Sequence, residues 1–357
     1  MFKMLSYLPP PEKVDQARKV PSGRKLHPTR ACLMEAGRNL MRHIRRKADN
    51  TVINTMDQSL AGQTIIVTGS SSGIGQVVAE DCAVRGARVI LACRDVRAGN
   101  REASHILSFA PNADLTVYPL DLASFDSVRS FARDVMEKED RVDVLINNAA
   151  TLSASRRVTE DGHEETIQVN YLSPVMLTMM LMDHMSTTSP DARIIFVSSL
   201  GHAYAREIFL NDLDWKYFPE YRPFTVYYHS KLALMLFVRE LSKRADCRNI
   251  RVYAADPGIC LSGISRHVFP EESFVSKFKF MAKAFLRTPK QAADSILATV
   301  MLEKYSHDPD VYYYCDGKER PCSRMAQNDE KAAELWYLTQ DLLQLPAMHL
   351  LPITSNV

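Results

Sequence analysis

From Gln63 onward, short apolar runs alternate with helix-length amphipathic stretches. The runs are Thr64–Val67, Arg88–Ala92, Leu115–Tyr118, Val142–Ile146, Arg193–Val197 and Arg251–Ala254. Tyr312, Tyr313 and Tyr314 read as one further strand, the last in the chain. Between the runs, Gln76–Arg85 has helical character and Phe224–Arg244 reads as a long helix. Strands that alternate with helices at this spacing predict a parallel sheet with helices on both faces. The expected fold class is α/β, a doubly wound parallel sheet of about seven strands in a single domain. No internal repeat exists beyond this rhythm, and no low-complexity tract.

The first 60 residues break the rhythm. Pro9, Pro10 and Pro11 stand in a row, and basic residues scatter through to Lys47. Within this stretch, Leu33, Met34, Gly37, Leu40, Met41 and Ile44 share one side of a helical pattern, and Arg38, Arg42, Arg45 and Arg46 fall elsewhere. Such a segment is read as a basic arm, as a helix packed on the domain, as an amphipathic helix on an anionic membrane surface, or as an Arg-rich transit sequence.

Charge sharpens the contrast. The 357 residues carry a net +2, yet residues 1–60 hold 12 Lys/Arg against 5 Asp/Glu and the remainder holds 32 against 37. A mildly acidic body excludes a broad nucleic-acid footprint. Hydrophobic content of 46% and charged content of 24% are those of a soluble globular protein. The seven cysteines are Cys32, Cys82, Cys93, Cys247, Cys260, Cys315 and Cys322. They are odd in number, widely spaced and form no CxxC, so reduced thiols in an intracellular compartment are expected, not a disulfide framework or zinc cluster. No stretch of ~18 apolar residues occurs, so no transmembrane helix is expected, and no signal peptide is visible.

Directly after the first strand comes the turn Thr68, Gly69, Ser70, Ser71, Ser72, Gly73, Ile74, Gly75. Glycines at a strand-to-helix turn let backbone N–H groups approach a pyrophosphate at the positive helix end. The second strand ends in Cys93, Arg94 and Asp95. An acid at that tip suits the 2′-hydroxyl of NAD, and an arginine suits the 2′-phosphate of NADP; Arg94 comes first, which favours NADP(H). Asp121, beside Leu122, follows the third strand and either meets the adenine amino group or caps the next helix. Asn147 and Asn148 end the fourth strand, where amides brace the sheet and line a cofactor floor.

Tyr227 and Lys231 are four residues apart on the long helix, hence one turn apart on one face. A free phenol titrates at roughly 10, and a nearby ammonium lowers that value, giving an acid/base for neutral pH. Ser199 ends the fifth strand, placed to donate to a substrate oxygen that gains negative charge. Asn170, on the preceding helix, is placed to hold a water in the proton path. A lone YxxxK pair arises by chance on many helices; here it follows the glycine turn, the Asn pair and the Ser pair in chain order.

With TGSSSGIG, NNAA, Asn170, Ser198–Ser199, YYHSK and Asp256–Pro257–Gly258, the chain resembles the short-chain dehydrogenase/reductase family across about Gly62 to Tyr314. The resemblance implies a Rossmann-type fold and an oxidoreductase that moves a hydride between NADP(H) and an alcohol or carbonyl carbon. It implies that Tyr227 is the proton donor/acceptor and that Lys231 lowers its pKa and binds the nicotinamide ribose. It further implies that Ser199 polarises the substrate oxygen, that Asn170 completes the relay, and that Pro257 and Gly258 belong to the cofactor site. The run Leu91–Asp95, the 27 residues between Ser199 and Tyr227, and the tail from Tyr312 to Pro346 are similar to the retinol-dehydrogenase-like subgroup. That implies a lipophilic alcohol or carbonyl substrate such as retinol/retinal, often handled at internal membranes, and a possible homo-oligomer. The pattern departs at Ala150, where glycine is usual, at Ser173–Pro174, and in the missing apolar N-terminal helix. The expected layout is an extension over 1–60, a catalytic domain over 61–320 with a substrate lid at about 260–290, and a C-terminal helix and tail over 321–357.

The segment Val268–Arg287 interleaves Phe269, Phe274, Phe278, Phe280, Met281 and Phe285 with Lys277, Lys279 and Lys283. It reads as a lid over a greasy substrate, as a peripheral membrane contact, or as an ordinary packed helix. The localisation expected is cytoplasmic or at a membrane surface of the endoplasmic reticulum or mitochondrion. A non-catalytic NADP(H)-binding scaffold with a basic partner-binding arm is the alternative to an enzyme, motivated by the basic N-terminus and Ala150.

Overall fold

A computed structural model of the protein describes residues 58–245, 249–258, 260, 287–302 and 312–345. The amphipathic stretch 31–47, the lid segment up to Leu286 and the tail beyond Leu345 lie outside the described residues.

The first six strands are β1 (Thr64–Thr68), β2 (Arg88–Cys93), β3 (Asp114–Pro119), β4 (Val144–Asn147), β5 (Ala192–Val197) and β6 (Ile250–Ala255). With β7 (Tyr313–Cys315) and β8 (Lys318–Glu319) they form one sheet in the order β3-β2-β1-β4-β5-β6-β7-β8. Every pairing from β3 to β7 is parallel. The expected seven strands become eight because β8 folds back antiparallel on β7. Asp316 and Gly317 join them with φ of 57° and 67°, the two left-handed residues that a two-residue hairpin needs. The Asp-Gly pair was the sequence signal for it.

The helices are α1 (Gly73–Val84), α2 (Val96–Phe109), α3 (Phe125–Lys138), α4 (Ser173–Thr188), α5 (Pro223–Ala245), α6 (Pro289–Val300) and α7 (Asp329–Leu343). Strand residues alternate between two cores, as the two-residue period requires. Ile65 and Val67 pack with Val78 of α1, Ile106 of α2 and Ile296 of α6. Ile66 faces the other way, into a core with Phe131 of α3, Met176 of α4, Phe237 of α5 and Trp336 of α7. The sheet is thus covered on both faces, a Rossmann-type α/β fold. The order reverses between β1 and β4, and ligands of such sheets bind beyond the carboxyl ends of the strands at that point.

Candidate active site

A cavity of about 740 Å³ opens there, lined by the residues that follow β1, β2, β4, β5 and β6, namely Gly69, Arg94, Asn148, Ser198 and Pro257 among others. Every residue expected at the cofactor lies on its wall: Gly69, Ser71, Ser72, Gly73, Ile74, Gly75, Arg94, Asp121, Leu122, Asn148, Tyr227, Lys231, Pro257 and Gly258.

The glycine turn has the form a phosphate needs. Gly69 and Gly73 have φ of 67° and 65°, so side chains there would strain the backbone. A Cβ on Gly75 would lie 2.3 Å from Asn148 Nδ2 and 2.5 Å from the Gly69 carbonyl, so only glycine lets α1 approach the strand end this closely. Helices α2 and α3 are capped by the Asp95 and Ser124 side chains, but the N-cap of α1, Ser72, makes no side-chain cap bond. The first N–H groups of α1 are left for a ligand anion. Ser70 Oγ beside them is buried and makes no hydrogen bond. The residues present fit a dinucleotide.

Asp95 accepts from Ala98 N at 3.0 Å, and that bond holds its carboxyl below the usual range. The acid is therefore engaged in capping α2, and Arg94 lies beside it on the cavity wall. The cap of α3 is Ser124, so Asp121 is not needed there; its Oδ1 accepts from Ala123 N at 2.9 Å. Asn148 donates from Nδ2 to the Thr68 carbonyl at 2.8 Å and from its backbone to Thr68 Oγ1 at 2.9 Å, tying β4 to β1. Asn147 braces the sheet through Thr178 Oγ1 at 3.1 Å.

At the other end, Tyr227 and Ser199 share the cavity wall, and the Ser199 hydroxyl pulls the phenol pKa downward. Ser199 Oγ accepts from Gly201 N at 3.0 Å. Lys231 Nζ donates to the Val197 carbonyl at 2.8 Å and lies 5.8 Å from the centre of the Tyr227 ring. The expected lowering of the tyrosine pKa is not found. Burial pushes Tyr227 up to about 12, against the pull of Ser199 and with some help from Asp256, and burial pushes Lys231 down to about 8. Burial disfavours the charged form of each group, the phenolate and the ammonium alike.

Asn170 is the one expected site residue off the cavity wall. Its Oδ1 accepts from Thr151 N at 2.7 Å; its Nδ2 donates to the Thr151 carbonyl at 2.9 Å and to Ser230 Oγ at 3.0 Å. The side chain thus braces Thr151, which is on the wall, against α5. Residues Gln168–Leu172 form a π turn before α4, and Pro174, four residues after Asn170, has no N–H to give to the Asn170 carbonyl. Ser173 Oγ donates to the Leu122 carbonyl at 2.6 Å, so the Ser-Pro departure also ties α4 to the cavity wall.

Sequence reasoning missed three groups. Leu152, Glu165, Val169 and Phe224 line the far part of the cavity; only Phe224 carried a signal, three residues before Tyr227 on the same helix. Buried His202 places Nδ1 2.7 Å from the Ser199 carbonyl and accepts at Nε2 from Ser323 N at 3.2 Å. These partners require the neutral Nδ1–H form, and burial lowers the His202 pKa in the same sense. Arg287, at the end of the lid segment, donates to the Pro257 carbonyl at 3.3 Å and pairs with both Asp316 oxygens at 2.7 Å. No described helix is long and apolar enough to cross a membrane.

The sequence profile of the short chain dehydrogenases matches residues 63–209. Mouse retinol dehydrogenase 13 is 37% identical over 294 residues, 82% of this chain and 86% of that protein. A crystal structure from Mycobacterium paratuberculosis superposes with a TM-score of 0.63 at 32% identity, covering 81% of this chain and 97% of the other. The NADP complex of Pseudomonas aeruginosa RhlG superposes with a TM-score of 0.53 at 27% identity, over 67% and 89% of the two chains.

Proposed function

The chain belongs to the short-chain dehydrogenase/reductase family, as an oxidoreductase of retinol-dehydrogenase-like type that interconverts an alcohol and a carbonyl, and from that premise we propose that it reduces lipophilic aldehydes or ketones, retinal among them, with NADPH. The observation that carries this reading is the Tyr227–Ser199 hydroxyl pair on the cavity wall, one helical turn from Lys231. NADPH, when bound, supplies the hydride that adds to the carbonyl carbon.

The rest falls to the chain. Gly69 and Ser71–Gly75 hold the pyrophosphate, Arg94 the 2′-phosphate, Asp121 and Leu122 the adenine end, and Asn148, Lys231, Pro257 and Gly258 the nicotinamide half. The engagement of Asp95 as a helix cap, and the likeness to the NADP-bound RhlG, support NADP over NAD. With its pKa near 12, Tyr227 is protonated at neutral pH, so it stands ready to give its proton to the substrate oxygen, which is the reductive direction. Ser199 takes the Gly201 N–H on a lone pair and keeps its own hydrogen for the substrate oxygen. The Asn170 carbonyl, without its regular helix donor, holds a water that returns a proton toward Tyr227 through Lys231. Leu152, Val169 and Phe224 on the wall suit an apolar substrate, as does the similarity to a retinol dehydrogenase. Membrane contact rests on segments outside the described residues.

The test offers all-trans-retinal to the purified protein with NADPH or NADH and measures retinol by chromatography. Turnover is expected with NADPH, much less with NADH, and Tyr227→Phe lowers kcat by about a thousandfold. Full activity in Tyr227→Phe, or no turnover across a panel of retinoid, steroid and fatty carbonyls, overturns the reading.

A further inference from the structure

Helices α1 and α2 also meet on a surface away from the cavity. Helix α1 brings Glu80; α2 brings Glu102 and His105, three residues apart and so on one face. One oxygen of each carboxylate and one imidazole nitrogen all lie within 4.8 Å of one another. His105 Nδ1 is 3.5 Å from Glu80 Oε1 and 3.6 Å from Glu102 Oε1. A charged imidazole bonded to a carboxylate would approach to ~2.7–2.9 Å. The observed separations instead match a tetrahedron edge of ~3.4 Å, which follows from metal–ligand distances of ~2.1 Å.

A second observation points to a ligand. Glu102 is only 7% exposed, and its Oε1 makes no hydrogen bond. Withdrawing a carboxylate oxygen from water without a donor is costly. Gln76 Nε2 donates to Glu80 Oε1 at 3.1 Å, an outer hydrogen bond of the kind that orients a metal-ligating carboxylate. The His105 side chain is 57% exposed, which leaves room for a water as fourth ligand. Calcium and magnesium prefer six or more oxygen ligands, whereas two carboxylates and an imidazole at this spacing suit zinc. None of the three residues lines the cavity.

We propose that Glu80, Glu102 and His105 bind one zinc ion that staples α1 to α2. These two helices begin at the glycine turn and just after Arg94, so the staple holds together the two elements that present the cofactor-binding end.

The test uses the full-length protein, saturated with NADPH and freed of metal by a chelator, titrated with zinc chloride by calorimetry and with cobalt chloride by visible absorption. One equivalent is expected to bind, with the absorption bands of four-coordinate cobalt, and zinc is expected to raise Tm. Glu102→Gln and His105→Ala each weaken binding by about tenfold or more and abolish the zinc-dependent rise in Tm. Glu102→Gln folds at least as stably as the parent without metal, because it removes a poorly solvated carboxylate, and it keeps the metal-free turnover. No stoichiometric binding overturns the proposal. So does binding that both substitutions leave intact, which would put the metal on thiols or histidines elsewhere.

Discussion

At the cofactor end of the cavity, Gly69, Gly73 and Gly75 act through backbone, and the turn they form is set by the strand and helix beside it, with Asn148, just after β4, as a distant neighbour against it. At the chemical end, half-buried Ser199 and Tyr227 and buried Lys231 act through side chains whose settings come from distant segments. His202 links the Ser199 carbonyl to Ser323, 121 residues on. Tyr313 donates to Asp256 Oδ2 at 2.6 Å, and Asp256 Oδ1 accepts from Gly258 N at 2.9 Å. The contrast teaches why the first end is readable from a short motif and the second is not. A phosphate cradle is a local conformation; an acid/base is a local residue in a non-local electrostatic setting.

The strongest way to break the contrast is at Lys231. Its folded pKa of about 8 lies below the ordinary lysine value, so the protonated form costs stability below pH 8, and that cost fades as pH rises toward the unfolded value. The cost is on the order of 3 kcal/mol at pH 7, and the lost bond to Val197 takes back about 1 kcal/mol. Lys231→Met is therefore expected to lower kcat by about a hundredfold or more while raising Tm at pH 7. Near pH 10 the Tm gain disappears. A fall in Tm at both pH values would mean the lysine serves the fold before it serves the chemistry.

Arg94 probes the local end. Removing a charge-assisted contact to phosphate costs about 1.5–3 kcal/mol, so Arg94→Ala is expected to shrink the NADPH-over-NADH preference in kcat/KM by about tenfold to a hundredfold. The kcat at saturating NADPH should hold. An unchanged preference would move 2′-phosphate recognition elsewhere.

The smallest effect sharpens the role of His202. Asparagine keeps an N–H near the Nδ1 position, and glutamine places its amide near Nε2. His202→Asn is expected to retain most of kcat and His202→Gln to lose about tenfold, the cost of roughly one hydrogen bond to the Ser199 carbonyl, with KM for retinal unchanged in both. Equal losses of Tm with equal kcat would reduce His202 to a packing residue.

Much of the layout was legible in the chain. All seven expected strands stand within two residues of their predicted ends, and the long helix runs Pro223–Ala245 against an expected Phe224–Arg244. Those signals are periodic and local, so they survive without partners. The eighth strand was not expected, because its two residues are too short to show a pattern. The side chain of Asn170 clamps Thr151 and Ser230, 19 residues before it and 60 after it, which no spacing could reveal.

The sequence by itself determined the doubly wound sheet, the glycine turn, the arginine ahead of the acid, and the Tyr227–Lys231 spacing. Each is a property of neighbouring residues under fixed backbone geometry. The tertiary structure alone decided how those residues behave. It raised Tyr227 and lowered Lys231, because burial is a property of the whole packed body. It spent Asp95 on a helix cap and joined Ser199 to the C-terminal segment through His202. It also brought Glu80 of one helix against Glu102 and His105 of the next, because side-chain groups converge across helices only when the helices pack.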